Sequence, residues 1–401
     1  ISGLNERFNT DKKIHLEQGF KSLNGELLSM RSVGIDSKDK GIIKGQAAIL
    51  AAANFFKVGD VVHIPLIHSG FWITITPPTE TDLILLYNDF AMDKATHGRL
   101  TFGLTFSNLS VKINETIFEF LKRYVTATTI KGLEKKNDWV EHFKLADLPI
   151  AAWGLARAMY PNGFLFRRIC SHAPECDYIE ERYIALEKLL VVDDSALSTK
   201  QREIMSRITA RTTTLEEVLT YQKDFEERDN NVLEYKGAKI TFGRPTVEDH
   251  VSDGIAWVNE IDEKLTSALA ENEYDDLEQT YLLDQFIKAT FIKNWSHFVK
   301  EIEFNGSKIV ARKDIAEVLD VLAKKVSFYD KFSEFVINYR NETVSATIGI
   351  QEFHCPKCGK LNTADSHYPH VSSVVPIDVM NTFFLMFYTR YQMATGDLEN
   401  E

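Results

Sequence analysis

Four cysteines, arranged in two pairs, constrain this chain more than any other feature of its 401 residues. The first pair is Cys170 and Cys176; the second is Cys355 and Cys358, within His354-Cys355-Pro356-Lys357-Cys358-Gly359. The second pair has the form of a zinc-ribbon knuckle, a tight turn that sets two thiolates on one side and uses a glycine for a positive φ. Zinc takes four ligands at tetrahedral geometry, so the two pairs supply a four-thiolate Zn2+ site with nothing left over. His172, His354, His367 or His370 could replace one cysteine, and His172 and His354 rank highest because they sit inside the paired loops. A thioredoxin-like dithiol and independent buried thiols remain open as alternatives. A disulfide framework is disfavoured: four cysteines cannot staple so long a chain, and no secretory leader is visible after Ile1.

A four-thiolate site leaves no coordination position for water, so such a metal is structural, and its binding energy becomes folding energy. It would clamp two distant segments together, making 177–354 an excursion between two halves of one domain. The expected class is α+β, mainly helical, with a small N-terminal α+β unit, a helical body and a C-terminal zinc-knuckle segment tied back to that body.

The chain divides into five stretches on this reading. Residues 1–57 form a helical or extended arm that includes a small-residue helix, Ile43 to Phe56. Residues 58–136 form an α+β unit whose hairpin joins Val61–Leu66 to Phe71–Thr76 through Ile67-His68-Ser69-Gly70. In that unit Thr79 and Asp82 open a helix through Ala91, alternation at Phe102, Leu104 and Phe106 suggests a strand over 99–111, and a helix runs near Glu115–Thr126. Residues 137–229 are a helical body: Leu148–Met159 ends at Pro161-Asn162-Gly163, Tyr178–Leu190 has one broad apolar side, and capping boxes at Ser198/Gln201 and Thr214/Glu217 start two more helices.

Residues 230–340 read as an acidic helical insertion with short hairpins at Lys236-Gly237 and Asn305-Gly306. Its long helices span about 246–270 and 275–300. The aromatics Tyr281, Phe286, Phe291, Trp295 and Phe298 of the second are taken as core. Asp314 is expected to cap Ile315–Val326, with another helix over 328–339. Residues 341–401 carry a strand, Thr343–Phe353, then the knuckle and a helix capped by Asp378.

Charge narrows the partners. The chain holds 46 basic and 58 acidic residues, a net charge of -12, which disfavours nonspecific binding to nucleic acid or an anionic membrane. The acidity is concentrated between Val247 and Gln285, where Lys264 is the one base. That stretch is read as a solvated face, with a docking face for a basic partner as the alternative. No apolar run is long enough to span a membrane. Phosphate loops, dinucleotide fingerprints, His-Glu-x-x-His and nucleophile elbows are missing, and Glu141-His142 and His97-Gly98-Arg99 are too generic to mark an active site. Phe71 and Trp72 are expected in the core rather than on a binding platform.

The run Asp147-Leu148-Pro149 through Trp153-Gly154-Leu155, then Ala158-Met159-Tyr160-Pro161-Asn162-Gly163 and the downstream Cys170 and Cys176, resembles structural proteins of contractile-tailed bacteriophages. The knuckle and Pro376-Ile377-Asp378 leading to Phe383-Phe384 add to this likeness, which covers about 140–215 and 345–395. The nearest class is the baseplate hub or baseplate-core subunit. The resemblance implies a non-enzymatic virion protein of the tail baseplate, present in host cytoplasm during assembly and touching several other baseplate subunits within a large assembly. Partner area is expected mainly on the 58–135 unit and the C-terminal helix. The competing readings are a zinc-dependent enzyme with an open metal position and a zinc-ribbon adaptor for protein or nucleic acid.

Overall fold

The structure, a computed structural model, describes residues 28–33, 48, 52, 59–79, 81–86, 88, 105–133, 137–170, 172–271, 274–362 and 374–395. The expected helix over Ile43–Phe56, apart from residues 48 and 52, lies outside them, as do His97, His367 and His370. The protein is mixed α+β and mainly helical.

An antiparallel sheet opens the described chain. β1 (Arg31–Ser32) pairs with β2 (Val62–Leu66), which forms the expected hairpin with β3 (Phe71–Ile75). Gly70 supplies the turn's positive φ of 85°. The strand expected over 99–111 is a correction: α1 runs from Thr105 to Tyr124 and so occupies its second half. The three-residue alternation was too short to outweigh the apolar face that follows, where Val111, Phe118 and Leu121 are buried at helical spacing. β4 (Val125–Thr128) then completes the sheet beside β3.

α2 (Leu148–Met159) is apolar but for Arg157 and is buried almost throughout in the first core. It approaches β2 so closely that a Cβ on Gly154 would lie 1.9 Å from Cδ1 of Ile64. Arg157, nearly buried within this helix, is paired with Asp60 and Glu187. The region after α2 departs from the expected helix over Tyr178–Leu190. β5 (Phe164–Ile169) and β6 (Ile179–Ile184) form an antiparallel hairpin, a 3₁₀ turn at Leu186–Leu189 follows, and β7 is Leu190–Val192. Two six-residue runs flanking a cysteine loop can satisfy their backbone groups on each other, which the apolar count along one run did not reveal.

α3 (Thr199–Met205) and α4 (Leu215–Glu226) begin at the anticipated capping boxes, with both reciprocal bonds present in each. Leu186 to Phe225 contribute to the first core, so the expected excursion over 177–354 begins later than Asp177. A second core gathers β8 (Val232–Tyr235), β9 (Ala238–Phe242) and elements that follow them. α5 (Val247–Glu271) and α6 (Asp276–Thr290) pack on each other through Trp257, Ile261, Leu283 and Ile287. The long second helix stops at Thr290 and continues as 3₁₀ turns over Phe291–Phe298. Among its aromatics Phe298 is buried and Phe286, Phe291 and Trp295 are partly so, but Tyr281 is 65% exposed, contrary to expectation.

β10 (Val299–Phe304) and β11 (Ser307–Ile309) join β8 and β9 in one antiparallel sheet. The hairpin tips at Lys236-Gly237 and Asn305-Gly306 all have positive φ, the backbone that such two-residue turns demand. α7 (Arg312–Ala323) begins before Asp314, which therefore sits in the first turn, favourable to the helix dipole, rather than at the cap. α8 (Val326–Glu342) closes this part, and β12 (Ala346–Gln351) returns the chain to the first core, lying between β7 and a later strand.

β13 (Phe353–His354) and β14 (Leu361–Asn362) make a short hairpin around the knuckle. β15 (Val374–Pro376) pairs with β12, and α9 (Val379–Thr395) lays Phe383, Met386 and Phe387 into the first core. Among the described residues no helix is long and apolar enough to cross a membrane.

A buried polar knot links these parts. Asp147 is fully buried and accepts from the amides of His68 and Ser69, from Ser69 Oγ and from His68 Nδ1. The amide of Ser345 donates to His68 Nε2 at 2.9 Å. That bond makes Nε2 an acceptor and leaves Nδ1 to carry the proton donated to Asp147. The turn after β2, the start of α2 and the strand entering β12 are therefore held by one carboxylate.

Candidate metal centre

Both cysteine pairs stand on hairpin tips. Cys170 continues the β5–β6 ladder, its amide donating to the Tyr178 carbonyl at 3.1 Å. Turns within the loop bring Ala173 N to Cys170 O and Cys176 N to His172 O, each at 3.1 Å. On the other hairpin Cys355 N donates to Lys360 O and Gly359 N to Cys355 O, both at 2.9 Å, while Gly359 takes φ 71°. The last value is the positive-φ turn that the knuckle reading needed from glycine.

The two tips meet. Cys170 Sγ lies 3.8 Å from Cys358 Sγ, and Cys176 Sγ lies 3.7 Å from Cys355 Sγ. All four sulfurs fall within 4.8 Å of one another, a set that could hold a metal ion. A disulfide needs a separation of about 2.05 Å, so these are four thiols rather than two bridges. The edge of a tetrahedron with metal–sulfur bonds of about 2.3 Å is about 3.8 Å, and the closest pairs match it.

Cys170, Cys176 and Cys355 are buried and Cys358 is exposed, so the centre lies at the surface with one flank open to solvent. Burial raises the Cys355 thiol, but the backbone amides of Cys358 and Lys357 outweigh it and hold the group below its ordinary value. Cys176 moves the other way: a backbone bond at Tyr178 lowers it, while burial and the three neighbouring sulfurs push it up to about 12. Four sulfurs this close cannot all ionise without a cation among them. The loops are also joined by charge, through Lys357 with Asp177 and Lys360 with Glu175 at 3.5 Å.

Neither favoured histidine joins the cluster. His172 Nε2 faces the Leu361 carbonyl at 3.3 Å, and His354 Nδ1 faces the Gly359 carbonyl at 3.2 Å. Both brace the loops through main-chain oxygens. Elsewhere, Phe71 and Trp72 are buried, as expected for core residues, and Trp72 Nε1 donates to Met205 O. On α9, Leu385 and Tyr388 are exposed. In the acidic stretch Glu248, Asp262, Glu263, Glu271, Asp275, Asp276 and Glu278 are exposed, as a solvated face requires, while Asp249 and Asp253 pair with Arg312, Glu260 with Lys264 and Lys293, and Asp284 with Lys288.

No family model, curated protein or solved structure matches this chain.

Proposed function

We propose that this chain is a non-enzymatic structural subunit folded around a structural Zn2+ held by Cys170, Cys176, Cys355 and Cys358. We further propose that it serves in the tail baseplate of a contractile-tailed phage, in the hub or core, against other baseplate proteins. The observation that carries the first statement is the meeting of four sulfurs, with no other ligand type, in one cluster of the described residues. Such a shell would leave the metal no position for water or substrate, and would confine its chemistry to holding two hairpins together. The second statement rests on the phage-like runs around Asp147–Gly163 and Pro376–Phe384. Their residues supply the central helix, the buried carboxylate knot and the α9 side of the first core.

The test has two arms. Elemental analysis of the purified chain should return one zinc per chain, and X-ray absorption should show a pure sulfur shell at about 2.3 Å. A nitrogen or oxygen neighbour that exchanges with solvent would overturn the structural role in favour of an open, catalytic metal. Mass spectrometry and cryo-electron microscopy of purified tails should find the chain in the baseplate; intact baseplates lacking it would remove the assembly role.

A further inference from the structure

A cavity of about 410 Å³ lies where the first core meets the inserted second unit. Its walls come from the segment before α2, from α5, from the 3₁₀ turns over Phe291–Phe298, from the end of α8 and from β12. The lining contains no aspartate or glutamate, although acids outnumber bases across the chain, 58 to 46. It contains instead Lys144, Arg244 and Arg340, together with His250 and His297.

Two of these three cations, Lys144 and Arg340, pair with no carboxylate among the described residues, and the third, Arg244, pairs with Asp229. Lys144 is 9% exposed, and its Nζ donates to the Arg244 carbonyl at 2.9 Å rather than to a carboxylate. The nearby acids that act on it are engaged elsewhere, Glu226 with Lys300 and Asp249 with Arg312. Arg340, an exposed residue of the lining, makes no ion pair among the described residues. Arg244 is 8% exposed and grips Asp229 with Nε and Nη2 at 2.8 Å each, but its buried Nη1 has no partner.

The histidines add a second orphaned donor. Asn114 Nδ2 donates to His250 Nε2 at 3.0 Å, so His250 carries its proton on Nδ1 and presents it to His297 Nε2 at 3.3 Å. His297 must then be protonated at Nδ1, a buried atom that makes no full hydrogen bond, although the Asn294 main chain lies near it. A third orphan, Asn294 Oδ1, is an acceptor. Orphaned buried groups cost stability unless something fills their valence, and these three belong to residues that line one cavity. The lining also holds the apolar side chains Leu148, Ile348, Ile377 and Val379.

We propose that this cavity binds a small organic oxyanion, a phosphate ester or a carboxylate, with its charged end toward Arg244, Lys144 and Arg340 and its apolar body toward Leu148, Ile348, Ile377 and Val379. The residues need no metal for this, and the inference is independent of the cysteine cluster.

The test is calorimetric titration of the full chain at low salt with three ligands that share one ring: phenyl phosphate, benzoate and neutral benzyl alcohol. One or both anions should bind saturably with one site per chain, at least about tenfold more tightly than the alcohol, in keeping with a charge-assisted contact. Phenyl phosphate ahead of benzoate assigns a phosphate ester, and the reverse order assigns a carboxylate. Arg340→Gln, at an exposed unpaired residue, should keep the melting temperature and weaken the anion about fivefold, the scale of one exposed charge. Lys144→Met should weaken it further. Equal binding of all three ligands, no saturable anion binding at millimolar concentration, or full affinity in both variants would overturn the proposal.

Discussion

Asp147→Ala should be among the most damaging single substitutions in the first core. Four buried donors share this carboxylate: the amides of His68 and Ser69, Ser69 Oγ at 2.7 Å and His68 Nδ1 at 2.8 Å. Each donor left without an acceptor costs about 1–3 kcal/mol. Full addition is not reached, because the substitution also removes a charge whose burial was itself unfavourable. The net loss expected is about 4 kcal/mol. Asp147→Asn keeps the shape and one acceptor, and Ser69 Oγ can rotate to accept from the new amide, so about 2 kcal/mol should be lost. The assay is urea unfolding followed by tryptophan fluorescence, with Trp72, Trp139 and Trp153 all buried in the same core as reporters. Glu263→Ala, on the exposed side of α5, serves as the control and should stay within about 0.5 kcal/mol of the parent. If Asp147→Ala lies within about 1 kcal/mol of that control, the knot does not hold the turn, helix and strand together, and the reasoning fails.

Three further outcomes follow from other parts of the molecule. Cys358→Ser should release metal and abolish a four-sulfur shell, and hydrogen exchange should show the β5–β6 and β13–β14 hairpins losing protection before the first core does; unchanged metal content would place the ion elsewhere. Burial, helped by the charge of Arg340, lowers His250 to about 4, below the 6.5 of the unfolded chain. Unfolded protein therefore binds the extra proton between those values, so the stabilising contribution is complete above pH 6.5 and is lost as pH falls toward 4. His250→Asn should flatten that slope in a series of unfolding midpoints, and an identical slope would remove His250 as its source. Gly154→Ala would drive a methyl group into Ile64, which is fully buried, and should cost about 1–3 kcal/mol; pairing it with Ile64→Val should recover part of the loss, and strict additivity of the two would argue against the contact.

The sequence was most legible where local chemistry decides local structure. Ser198/Gln201 and Thr214/Glu217 specify helix starts by satisfying orphan amides within four residues, and both helices begin there. Lys236-Gly237 and Asn305-Gly306 specify tight turns in the same local way, and the run Leu148–Met159, apolar but for Arg157, reads as a helix that stops at Pro161-Asn162-Gly163. The knuckle at Cys355 and Cys358 was visible for the same reason, since a thiolate turn with a trailing glycine is a property of a few consecutive residues.

Tertiary structure decided what those residues meet. Tyr178–Leu190 reads as an amphipathic helix in isolation, yet Ile179–Ile184 becomes a strand because Phe164–Ile169 lies opposite to take its hydrogen bonds. Thr105 onward turns helical because its apolar side finds α5, where Gly254 leaves room for Val111. Asp147, His68 and Ser69 carry no motif, and only the fold brings them together. The chain on its own supplied four sulfurs, but whether they form one cluster depends on two hairpin tips being carried to the same place. That convergence follows from β12 pairing with β7 and returning the C-terminal segment to the first core, a contact between residues too distant in sequence for any local pattern to encode.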